Sequence, residues 1–124
     1  MAIPPIEITW LDLPEEHDYP AAESYLSLIY DCYASEIMMH DLMVTDIVMF
    51  KAKDIFRASQ LTLLGVSNSH VDKNLRKIGK GKSLSPLLLV RDSANGKVHI
   101  ADGYHRLCAV YAYNEDALIP CKIA

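Results

Sequence analysis

The chain predicts a single α/β domain, a mixed α+β sheet with helices, carrying an N-terminal helical layer. Three observations lead there. Residues 1–50 hold ten carboxylates and no Lys or Arg, whereas residues 51–124 hold all twelve Lys and Arg against six acids. At that same border the apolar pattern changes from helical spacing to short β-branched runs. Near the C-terminus, Val98-His99-Ile100 runs through Asp102-Gly103 into a segment where Leu107, Cys108 and Tyr111 recur at the spacing of one helix face. The domain therefore divides into an arm with helices over residues 1–44 and a core over residues 45–124.

Taken in order, residues 1–20 contain four of the six prolines and should run extended with turns, Trp10 pinning the arm to the body. A helix is expected at Pro20–Ala34, with Tyr25, Leu28, Ile29 and Cys32 on its inner face. A second follows at Ser35–Met43, with Ile37, Met38 and Leu42 at helical spacing. The methionines there (Met38, Met39, Met43) read as adaptable core filler or as a partner surface. Ile47–Phe50 is apolar and β-branched, which predicts a buried strand.

Ala52–Ser59 then predicts a helix, Ile55 and Phe56 inward, with Lys53 and Arg57 sharing a face. Gln60–Asn68 is a loop. Ser69–Lys80 predicts a helix with Val71, Leu75 and Ile78 inside and Lys73, Arg76, Lys77 and Lys80 outside. Leu87–Arg91, a turn at Asp92–Lys97 and Val98–Ala101 make a hairpin. A helix opened by Asp102-Gly103 and a closing strand at Ala117–Ile123 complete the domain.

The chemistry gathers at Asp102–Arg106. A strand that enters a helix through a glycine leaves free N–H groups at a positive dipole end, which suits an anion. Arg106 can hold a phosphate in two hydrogen bonds; its other use is an ion pair with Asp102 or Glu115. His105 has the pKa range of a general acid or base, and equally of a packed or capping imidazole. Asp102 is either a base or an N-cap, and as a cap it would occupy the Tyr104 and His105 N–H groups. Lys53 and Arg57 offer a second basic wall, or a solvated helix face. His70 ends a polar loop, Ser67-Asn68-Ser69-His70, that could reach the same pocket.

Other classes are weaker. The Lys73–Lys82 run lacks interleaved aromatics, and the pI near 5.6 opposes non-specific DNA binding, so nucleic acid is not expected without an additional domain. His99, His105 and Cys108 have nominal metal spacing but no second paired motif, so no metal is expected. Three cysteines without a C-x-x-C pair point to a reducing, cytoplasmic setting, and no apolar run suits a membrane span or signal peptide.

Gly103-Tyr104-His105-Arg106 resembles the Gly-x-x-Arg box of the ParB and sulfiredoxin superfamily, G-E-R-R in ParB proteins and G-C-H-R in sulfiredoxin. Pro86–Val90 is similar to that family's first hairpin strand, Ala94–Lys97 to its turn, and Ile119–Ile123 to its closing strand. The resemblance covers about residue 45 onward. It implies a ParB/sulfiredoxin-like fold binding a nucleotide or other phosphorylated small molecule, with phosphotransfer or phosphohydrolase activity through Asp102, His105 and Arg106. Gly103, Tyr104 and Arg106, with Lys53, Arg57 and His70, would bind the ligand, and a nucleotide with magnesium is the candidate cofactor. Tyr104 stands where sulfiredoxin has its reactive cysteine, so sulfinic-acid repair has no nucleophile. The helix-turn-helix that follows this region in ParB proteins has no counterpart before Ala124. The alternative reading is a non-catalytic regulatory or interaction module that dimerises, or meets a protein partner, through its acidic N-terminal half.

Overall fold

A computed structural model describes residues 7–124, so the start of the expected extended arm, residues 1–6, lies outside the described residues. The chain runs α1 (Asp18–Ile29), α2 (Cys32–Val44), β1 (Val48–Lys51), α3 (Ala52–Ser59), α4 (Ser69–Gly79), β2 (Leu87–Asp92), β3 (Lys97–Asp102), α5 (Tyr104–Tyr113) and β4 (Leu118–Ile123). The strands form one mixed sheet in the order β1-β4-β2-β3, with β2 and β4 parallel and the other pairs antiparallel.

Strand β2 shows why the fold has three layers. Leu87 to Val90 are all buried, and successive side chains of a strand point to opposite faces. Leu87 and Leu89 join the core beneath α3, α4 and α5, while Leu88 and Val90 join a second core with Ala22, Leu26, Met39 and Leu42 of α1 and α2. An unbroken apolar run is what a strand covered on both sides requires. The expected α/β class and the N-terminal helical layer are thus present.

Lys122 locks that layer to the sheet. It is buried on β4, donates to the Met43 carbonyl in the last turn of α2 at 3.0 Å, and lies 5.7 Å from the centre of the Tyr19 ring. A cation on the final carbonyls of a helix complements its dipole. The arm is held as expected: Trp10 bridges Leu84, and Leu11 N–H donates to the Leu84 carbonyl at 2.8 Å.

Three expectations are corrected. The helix at Pro20–Ala34 is broken at Tyr30–Asp31, both in extended conformation, because Asp31 caps α2 by accepting from Ala34 N–H at 2.8 Å. The inner face of α1 is Asp18, Ala22 and Leu26, leaving Leu28 85% exposed and Tyr25 and Ile29 open as well; Ala22 is small enough to let the helix sit close on the sheet. In α2, Ile37 is likewise outside while Met39 and Leu42 are inside. Finally, β1 is an edge strand with Val48 and Met49 exposed, since among the described residues no strand pairs with it beyond β4. Among the described residues, no helix is long and apolar enough to cross a membrane.

Candidate anion site at the start of α5

Gly103 makes the junction between β3 and α5 at φ 109°, a backbone geometry that L side chains rarely adopt. It is the N-cap of α5, and among the described residues no side chain caps the helix. Asp102 is therefore not the cap, and the first-turn N–H groups stay available to a ligand. The reason is a competing partner. Asp102 Oδ2 lies 2.8 Å from Arg106 Nη2, and both side chains are more than four-fifths buried.

The same guanidinium donates to the Pro86 carbonyl at 3.4 Å, while its Nε is buried without a hydrogen-bond partner. Arg106 thus serves first as an internal brace, the ion-pair use weighed from the sequence. Behind it, buried Asp18 of α1 reaches the Asp102 carboxyl and accepts hydrogen bonds from Glu15 N–H and Ser85 Oγ. A line of buried charge therefore joins the N-terminal layer to the strand–helix junction.

Burial pushes the Asp102 carboxyl above its usual range, opposed by the Arg106 guanidinium and reinforced by Asp18. For an acid raised in the folded state, the folded chain binds more protons, so the stability from this group is full below about pH 4 and is lost as pH rises through the raised value. Urea unfolding of wild type and Asp102→Asn across that range should show the wild type alone losing stability to this group as pH climbs. Parallel curves for the two would remove the assignment.

In front of the junction lies a cleft of about 240 Å³ lined by Asp102–Arg106 and by His70, Lys73, Asn74 and Lys77 of α4. Asn68 caps α4 through His70 and Val71 N–H, which sets the register that turns residues 70, 73, 74 and 77 to one face. Among the described residues neither Lys73 nor Lys77 takes part in an ion pair. The His70 and His105 rings stand 4.9 Å apart between centroids. Burial, and secondarily His70, holds His105 below the usual imidazole range. Tyr104 donates its hydroxyl to the Thr62 carbonyl, fastening the 60–68 loop over α5.

Of the residues expected at the site, Asp102, Gly103, Tyr104, His105, Arg106 and His70 converge, and Lys53 and Arg57 do not. The start of α3 is tied to the far end of α5: Ala52 and Lys53 N–H donate to the Ala117 and Glu115 carbonyls at 2.9 Å. Lys53 instead pairs with Asp116 at 2.6 Å, and Arg57 projects into solvent, 3.7 Å from Asp54. The basic wall is supplied by Lys73 and Lys77, which sequence reading placed on an outer face. The i, i+3, i+7 spacing of His70, Lys73 and Lys77 carried the signal.

His99 pairs with Asp92 at 3.1 Å and packs on Tyr30, away from His105, and Cys108 is buried with its thiol pushed up by that burial. The nominal metal set is not assembled. Glu15, His17 and Asp18 do bring ligand atoms within 4.8 Å of one another, but those atoms are already joined, His17 to Glu15 at 2.9 Å and to Asp18 at 3.4 Å. Compared with protein-family models, curated proteins and solved structures, the chain gives no match.

Proposed function

We propose that this protein binds a small phosphorylated molecule, a nucleotide or another phosphate ester, in the cleft at the start of α5. The observation that carries the reading is the convergence of two unpaired lysines, Lys73 and Lys77, on an uncapped helix N-terminus. Cations and first-turn N–H groups aimed at one spot favour an oxyanion. Arg106 and Asp102 are positioning residues: their mutual pair holds the junction, so Asp102 has no free carboxylate to act as base. His105 is the cleft's titratable group. Any phosphoryl transfer or hydrolysis would run through it: the hydroxyl or water oxygen bonds to phosphorus as its proton passes to the His105 ring nitrogen, the P–O bond to the leaving group breaks, and the imidazolium returns the proton to the leaving oxygen.

A ParB/sulfiredoxin-like fold belongs to the same proposal. What supports it is the sequence of parts: a hairpin, Gly103 to Arg106 opening a helix, and a closing strand parallel to the first hairpin strand. A protein-docking role for the N-terminal layer is the second reading, favoured by the apolar side chains left outside there, such as Tyr33 at 74% and Val44 at 67% exposed. Sedimentation showing a concentration-dependent mass would support it.

The test of the first reading is calorimetric titration with inorganic phosphate and with nucleotides, with and without magnesium. Saturable binding should strengthen as pH falls through the depressed His105 value, because an anion favours the protonated ring. His105→Gln should bind but lose that pH dependence. No saturable binding of phosphate or nucleotide at any pH would overturn the reading.

A further inference from the structure

A second cavity lies at the opposite end of the sheet, where the β2–β3 hairpin turn meets α3. Its volume is about 430 Å³, within the roughly 300–1,000 Å³ of small-molecule sites. The floor is apolar, built from Phe50, Ile55, Leu89, Val98 and Ile123. It exists because Leu89 and Val98 face α3 where the small Ala58 side chain leaves a gap between the helix and the hairpin.

The rim is charged in a particular way. Arg91 lines the cavity on the face it shares with its cross-strand partner Val98, whereas Lys97, paired with Asp92 on the next rung, also borders the hollow but sets off from the opposite face of the hairpin. Asp92, the cross-strand neighbour of Lys97, is spent on the Asn95 side chain and His99. Neither Arg91 nor Lys97 is in an ion pair among the described residues. Asp54 is the one acid on the lining, 3.7 Å from Arg57.

We infer that this cavity binds an apolar monocarboxylate, its hydrocarbon or ring on the Leu89–Ile55 floor and its carboxylate on the Arg91 guanidinium. A guanidinium without an ion pair among the described residues, at the mouth of an apolar hollow, selects a molecule with one anionic end. Asp54 across the cavity opposes a second negative charge and disfavours a phosphate dianion. The site shares no lining residue with the cleft at α5 and stands whether or not that cleft binds phosphate.

Decanoate is the probe, titrated below its micelle concentration into the full chain by calorimetry, with decylamine and decanol as controls. Decanoate should bind saturably at one site and the two controls should not. Arg91→Gln should weaken decanoate by at least about tenfold, the scale of one charge-assisted hydrogen bond. Ala58→Trp, at an exposed helix position, should fill the hollow and abolish binding. If that variant fails to fold, Arg91→Gln alone decides. Absence of saturable decanoate binding, equal binding of decylamine, or full affinity in Arg91→Gln would each overturn the proposal. So would a wild-type dimer that Ala58→Trp dissociates, because the occupant would then be protein.

Discussion

If the α5 cleft binds phosphate as proposed, Lys73→Gln combined with Lys77→Gln should lower that affinity by about two orders of magnitude or more, with little change in fold stability. Each lysine is free of a partner carboxylate, so its charge is available to the ligand and not tied up inside the protein. A hydrogen bond to a charged group is worth roughly 1.5–3 kcal/mol, and two such losses amount to about 10²–10⁴ in Kd if they add. Lys73 is exposed and Lys77 half-buried, and substitutions at such positions usually move stability by about 0.5 kcal/mol or less. Lys80→Gln, beyond the cleft on the same basic run, is the control for diffuse attraction. If the Lys80 variant weakens binding as much as the pair does, the affinity is a general charge effect and the cleft is not the site.

Gly103→Ala should cost about 2–5 kcal/mol of unfolding free energy and weaken the cleft as well. A Cβ built there falls 2.8 Å from Leu87 Cγ and 2.9 Å from Arg106 Nη2. Leu87 is completely buried beneath α5, so it cannot swing aside. The left-handed backbone adds roughly 1–2 kcal/mol for any L side chain, and overpacking adds about 1–3 kcal/mol. The second clash displaces the guanidinium from Asp102, exposing that buried carboxyl to an unpaired state. Denaturant unfolding reads the stability, and the Leu87→Ala background reads the clash: the two substitutions together should cost less than their sum. Strict additivity would show that Leu87 is not what excludes a side chain at residue 103.

Much of the fold was legible because local periodicity and burial agree. In α4, Val71, Leu75 and Ile78 form one inner face, and the hairpin turn follows from Asn95-Gly96, where Gly96 takes φ 65°. Where both faces of an element are apolar, periodicity loses its meaning. Helix α1 offers Leu28 and Ile29 as readily as Ala22 and Leu26, and only contact with β3 and α2 chooses between them. Strand β1 reads as buried from Ile47–Phe50, yet burial of a strand depends on its neighbours, and it lies at an edge.

The site divides the same way. The local order Asp-Gly-x-His-Arg determined by itself that a strand would turn into a helix with its first N–H groups near His105 and Arg106, since glycine tolerance and helix polarity are properties of adjacent residues. Which cations face those groups was a tertiary matter. Lys53 and Lys73 look alike along the chain, but the hydrogen bonds from Ala52 and Lys53 to the α5–β4 turn hold α3 at the far end of α5, while α4 packs along α5 and brings Lys73 and Lys77 to its start. Asp18 meeting Asp102 across 84 positions of sequence is decided only when the helical layer docks on the sheet. No spacing rule reaches that far, because the contact depends on two faces burying their apolar residues against the same strands.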